Sequence, residues 1–279
     1  SGGKAIDDDM NRVRSTLGFA NAYGIYLALS LIAAIMLLLH PRWRVNKYLL
    51  AVIVLSMLVS SIVALNRGTW IAFSIAVVVA TLFYIRRIRI RWIVLAVVTI
   101  MALFSTVIVN RFQQLEDRGY HNMNTFERRV AYWESTIEMI PEHPIIGWGI
   151  GTAQQVMQTR FTTADKTHND YLRLQLEVGI LGVGAYLLFL FREALRAFFN
   201  RRTRRLLYVS YPLQINILYF LIISFVQNIY DHMVNLPLFL ALIAVSYRLI
   251  DLSRETSFDQ GAEESNQSKQ SRNTVRKNN

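Results

Sequence analysis

A chain of 279 residues, more than half of them hydrophobic and none of them cysteine, excludes a disulfide-stapled fold and any thiolate metal site. Its net charge of +11 would suit a nucleic-acid binder in a soluble protein. Here the basic residues stand in short clusters at the ends of long apolar runs, a pattern that sets membrane topology and leaves no nucleic-acid footprint.

The apolar residues come in blocks without the polar face that a soluble core helix shows every second turn, so the chain reads as an all-α integral membrane protein. Ser1 to Arg14 is a polar lead with neither an initiator Met nor a signal peptide, and the chain is expected to be a C-terminal fragment of a larger multi-span fold. Span one runs from Leu17 to Leu39. Arg42, Arg44 and Lys47 follow it, which puts its far end in the cytoplasm and the N-terminus outside. Tyr48 to Leu65 and Thr69 to Ile85 form spans two and three, separated by the break Asn66-Arg67-Gly68, before Arg86, Arg87, Arg89 and Arg91 return the chain to the cytoplasm. Trp92 to Val109 is the fourth span, so residues 1–109 form a first membrane unit.

Residues 110–170 form an external loop. Asn124 and Glu127 make a capping box, and Pro141 and Pro144 end the helix it opens, so an amphipathic helix is expected from Thr125 to Ile140. Phe126, Val130, Trp133, Ile137 and Ile140 give it one apolar stripe, with Arg129 at its border and Arg128 on the far, wet side. Such a helix lies along a bilayer surface. Three more spans, Tyr171 to Phe191, Leu206 to Val226 and Leu236 to Ile250, complete a seven-helix count within residues 171–250. The six Arg between Arg192 and Arg205 mark another cytoplasmic loop. Residues 251–279, rich in Ser, Asn, Gln, Glu and Lys, read as a disordered cytoplasmic tail.

Few residues carry chemistry. Arg67 sits at or just below the outer interface, where an Arg either snorkels to headgroup phosphates or holds an anionic ligand that Gly68 lets approach the backbone. Arg129 either pairs with Glu134 and lipid phosphate or joins Arg67 at the same ligand. His168, between polar residues just before a span, is a general-base candidate against the commoner surface histidine with no role. Asn169 and Tyr171 beside it, and Asp231 in the last external turn, are further candidates for substrate contacts. No external histidine shows metal-ligand spacing, so no metal is expected. The glycines of Pro144-Ile145-Ile146-Gly147-Trp148-Gly149-Ile150-Gly151 lack the strand and the Lys-Ser/Thr of a phosphate loop and read as a tight backbone path, with Trp148 in the interfacial aromatic belt.

Arg14 to Asn21, Asn66-Arg67-Gly68, Arg129-x-x-x-Trp133, the His143 to Gly151 glycine run, and His168-Asn169-Asp170-Tyr171-Leu172 before Glu177-x-Gly179-Ile180-Leu181-Gly182 occur in an order that resembles the O-antigen ligase superfamily. That group takes in O-antigen ligases, polysaccharide polymerases and bacterial O-oligosaccharyltransferases. The resemblance implies a glycan donor on polyprenyl pyrophosphate and a glycan or lipid-core acceptor. It also implies a site outside the bacterial cytoplasmic membrane and inverting transfer with no metal or other cofactor. It assigns Arg67 and Arg129 to the pyrophosphate and His168 to deprotonating the acceptor hydroxyl. The chain departs from the family at Ala22, where members often carry Pro, and in having fewer spans. From other classes, a polysaccharide or lipid exporter and a non-catalytic member of an assembly complex remain the alternatives.

Overall fold

The computed structural model describes residues 20–40, 46–64, 66–83, 125–160, 167–199, 206–230 and 234–253. Every regular element among them is helical. We number the α-helices in chain order: α1 Ala20–Leu39, α2 Lys47–Val63, α3 Arg67–Phe83, α4 Thr125–Met139, α5 Ala153–Arg160, α6 Asp170–Phe199, α7 Leu207–Ile223 and α8 Asn235–Ser253. By length and composition, segments Asn21–Leu39, Asp170–Phe199 and Asn235–Ser253 are able to cross a membrane, while Tyr48–Ser61, Gly68–Phe83 and Leu207–Ile223 are shorter apolar helices. Helices thus stand where six of the seven expected spans were placed. The fourth, Trp92 to Val109, lies outside the described residues, as do Asp231 and the tail beyond residue 253.

Local chemistry fixes the helix starts. Asn46 Oδ1 accepts from the N–H groups of Tyr48 and Leu49, capping α2, and Asn66 Oδ1 accepts from Thr69, capping α3. Arg67 is therefore the first residue of α3 and not part of an unstructured break.

The bundle is assembled around α7, which packs against α1, α3 and α6 and is buried almost all round, from Val209 to Ile223. A helix apolar on every side belongs at the centre of a bundle. Ala72, Ala76 and Ala80 line up on α3 within the same core, and small residues at that spacing let two backbones approach closely. Thr81 Oγ1 and Tyr211 Oη, 2.8 Å apart, join α3 to α7. Gln214 of α7 donates to Ala197 O of α6, and Asn216 donates to Phe239 O of α8. The outer face of α2 keeps Tyr48, Leu49, Val52, Leu55 and Val59 exposed, as a lipid-facing helix does.

Two expectations about α6 need correction. The span was drawn from Tyr171 to Phe191 as one rod, but Gly179 has φ 63 and ψ −169, so the helix breaks there. Residues 170–178, carrying Arg173 and Glu177, form a separate stub, and the long part of the helix starts at Ile180. The helix also continues to Phe199, taking Arg192, Glu193 and Arg196 out of the loop where they were placed. Buried Glu193 accepts from Tyr247 Oη and from Arg196 Nη1 at 3.4 Å. The Arg196 guanidinium lies over the Tyr247 ring. This cluster pins α6 to α8 at the end of the bundle opposite His168.

The orientation predicted by the Arg clusters has a direct check. In intact cells, a thiol-reactive probe is expected to label a cysteine placed at Glu142 from outside, and one placed in the tail at Ser257 only after permeabilisation. Labelling of both from one side would reverse or abolish the topology.

Candidate functional site

One end of the bundle gathers almost every residue singled out by sequence. Asn66 Nδ2 donates to Asn21 O and Asn235 Nδ2 donates to Ala22 O, so the starts of α1, α3 and α8 meet there. Gly24 packs against the Asn66 side chain, where a Cβ would stand 3.0 Å from it. Gly68, next to Arg67, lies against Val226 and Gln227, which a Cβ there would meet at 3.3 and 3.6 Å. The segment Ser224–Tyr230, after α7, is the floor on which the other parts rest.

Two side chains of α4 reach this floor and the turn above it. Residues four apart share a helix face, so Arg129 and Trp133 point the same way. Arg129 Nη1 donates to Val226 O at 3.2 Å, and Trp133 Nε1 donates to Thr167 O at 2.9 Å. The Arg-x-x-x-Trp spacing thus grips the floor with one residue and the His168 turn with the other. Arg128 is half-buried, as Arg129 is, and does not stand clear in water as expected.

The His168 turn is held from three sides. Thr167, buried, has its hydroxyl within hydrogen-bond distance of Asn169 O and Asn228 Oδ1. His168 is half-buried and adopts φ 51, a left-handed conformation uncommon for a residue with a side chain. Asn169 Oδ1 accepts from the N–H groups of Tyr171 and Leu172, so its carbonyl is spent capping α6. Tyr171 donates to Leu221 O at 2.9 Å and packs its ring 4.6 Å from Phe225. Both residues are therefore engaged in holding the turn.

Sequence reasoning passed over Asp170 and the floor. Asp170 is fully buried; its N–H donates to Ser224 O and its Oδ2 accepts from Ile229 N–H at 2.9 Å. Burial, with Tyr186 and then Asp170 nearby, pushes the Tyr230 hydroxyl well above the ordinary phenol range. A usable signal was present in the abrupt pair Gln227-Asn228 after an uncharged run.

The glycine run lies beside this site and buttresses α6. Trp148 and Gly149 donate to Leu176 O and Glu177 O, and Ile180 and Leu181 donate to Pro144 O and Ile145 O. Two backbones cross in contact here. A Cβ on Gly147 would stand 2.4 Å from Glu177 C and O, and one on Gly179 would stand 2.2 Å from Ile145 O. Glu177, buried, accepts from Arg173 Nε at 3.0 Å and from the N–H of Ala153 at the start of α5.

Residues 54–187 match the O-antigen ligase family. Over this stretch the chain is similar to the O-antigen ligase family. Neither the curated proteins nor the solved structures gave a match. The part shared with the O-antigen ligase family contains Arg67, Arg129 and His168, while the floor at Ser224–Tyr230 and Asp231 lie beyond it. The O-antigen ligase motifs therefore lean on a stretch of chain outside the matched region.

Proposed function

We propose that this protein transfers or polymerises a glycan carried on polyprenyl pyrophosphate, joining it to an acceptor hydroxyl at the extracytoplasmic face of a bacterial cytoplasmic membrane. One observation carries the reading: Arg129, the Arg67-Gly68 corner and the His168 turn all converge on the Ser224–Tyr230 floor at a single end of a membrane bundle. In this reading Arg67 and Arg129 hold the pyrophosphate. A diphosphate leaving group gathers negative charge as its bond to the anomeric carbon breaks, and fixed guanidinium groups stabilise that charge more in the transition state than in the ground state. His168 takes the proton of the acceptor hydroxyl as its oxygen attacks from the opposite face of the sugar, so configuration inverts. Asn169, Asp170 and Tyr171 keep the turn in place, which leaves Asp231 as the remaining candidate for contact with sugar.

The external segment, residues 110–170, is compact in sequence, which favours a lipid core or a growing glycan chain over a protein acceptor; where the host has a single membrane, a cell-wall polymer is the natural product. The test is incubation of the full chain in nanodiscs with a polyprenyl-pyrophosphate glycan and each acceptor class, with a strong chelator present throughout. Product is expected in chelator, because arginine supplies the charge that a divalent ion would otherwise bring. Activity lost on chelation and restored by a divalent ion overturns the metal-free mechanism. Failure with every acceptor overturns the transfer reading.

A further inference from the structure

The turn between α4 and α5 carries side chains that its position in an aqueous loop does not explain. Ile145, Ile146 and Ile150 are 58, 71 and 85% exposed, and Trp148 is partly exposed beside them. Neighbouring isoleucines left open on a short turn mark a surface that meets an apolar partner. The hydrogen bonds from Ile180 and Leu181 to Pro144 O and Ile145 O set the turn at the height where the long part of α6 begins. Ile180 and Leu181 are themselves exposed, as are Leu187, Leu188 and Phe191 further along the same helix. From Ile180 to Phe191 that helix carries no charged residue, as a stretch that enters a bilayer requires. The exposed isoleucines are thus continuous with the lipid-facing surface of a crossing helix.

On α4, Ile137 of the apolar stripe is exposed too, whereas Glu127, Glu134 and Glu138 occupy a different, charged face of that helix. The packed face is a third one, with Tyr132 and Met139 turned toward Met157 and Leu176.

We infer that the Pro144–Ile150 turn is a membrane-inserted wedge, its isoleucines resting among the upper acyl chains of the leaflet on the site's side. The wedge is rigidly joined to the α6 stub by the Gly147–Gly179 crossing, so it fixes the height of the His168 turn above the lipid. The inference rests on the protein's being a membrane protein and stands apart from the transfer reading.

The absence of cysteine makes the test direct. Ile146→Cys, Ile150→Cys and Glu138→Cys each create a single thiol at an exposed position, labelled with an environment-sensitive nitrobenzoxadiazole dye in nanodiscs of phosphatidylcholine and phosphatidylglycerol. At 146 and 150, quenching by lipid bearing a spin label near the glycerol end of its acyl chain is expected to exceed iodide quenching severalfold, with the reverse at 138. Iodide quenching at 146 and 150 equal to that at 138 overturns the wedge. So does lipid quenching that appears only after a polyprenyl pyrophosphate is added, which would make the turn a donor-binding surface instead. No turnover is read, so a failed wedge and a failed transfer reaction are told apart.

Discussion

Single-turnover transfer by His168→Ala is expected to fall about 10²–10⁴-fold while donor binding stays near normal, because the proton acceptor is lost. The substitution is local: Thr167, Asn169 and Asp170 hold the turn through their own bonds to the floor and to α6. Arg129→Lys separates the roles. It keeps the charge and loses the planar fork that spans a pyrophosphate, so donor binding should weaken along with transfer. Glu134→Gln, on the exposed acidic face of the same helix, is the control and should be nearly silent. Arg128 serves less well, being half-buried. Near-normal transfer by His168→Ala would remove the base and put the exporter or scaffold readings ahead.

The second large effect concerns the crossing of backbones at Gly179. Its φ 63 and ψ −169 lie in a region open almost only to glycine, and an added Cβ would meet a carbonyl oxygen with no room to move. Gly179→Ala is expected to cost about 1–3 kcal/mol in backbone strain and a comparable amount, about 1–3 kcal/mol, in overpacking. The glycine turn should then leave α6. Gly184, five residues along the same helix, has nothing within 4 Å of a Cβ. Gly184→Ala should be neutral or stabilise the helix by roughly 0.5–1 kcal/mol. Thermal unfolding in detergent and the rate of proteolysis within the Pro141–Gly151 segment measure both. Equal behaviour of the two variants would show that the crossing bears no weight.

Much of the bundle was legible because apolar blocks ended by Arg clusters have few other solutions in a membrane. The helix expected from Thr125 to Ile140 also followed from sequence and is observed over Thr125–Met139. The packed face of α4 did not. Pattern reading laid the stripe containing Ile137 along the bilayer and did not single out the face that packs on the protein, where the buried residues among those described are Tyr132, Ser135, Thr136 and Met139. Thr136 can be buried because its hydroxyl donates to Tyr132 O in its own helix and meets Met157 Sδ. The break at Gly179 was hidden for a different reason. Val178-Gly179-Ile180-Leu181-Gly182 reads as uninterrupted apolar sequence, and only the opposing turn some thirty residues earlier forces the kink. Asn169 drew attention as a neighbour of His168, although an Asn just before a helix is first of all a cap.

The central position of α7 governs how such a bundle can be made. Its 17 residues span about 26 Å, and its buried Gln214 and Asn216 donate to carbonyls on α6 and α8. Helices α1 and α3 emerge from the ribosome well before α7, yet much of the surface they bury is buried against it. On the seven-span reading they wait in the lipid as loosely associated spans, their alanine and glycine faces open. Insertion of α7 is then the step at which separate helices become one body. A polar change at Leu213 or Ile217 would strike at that late docking event, and quality-control proteases would meet the protein as a set of correctly inserted helices that never closed.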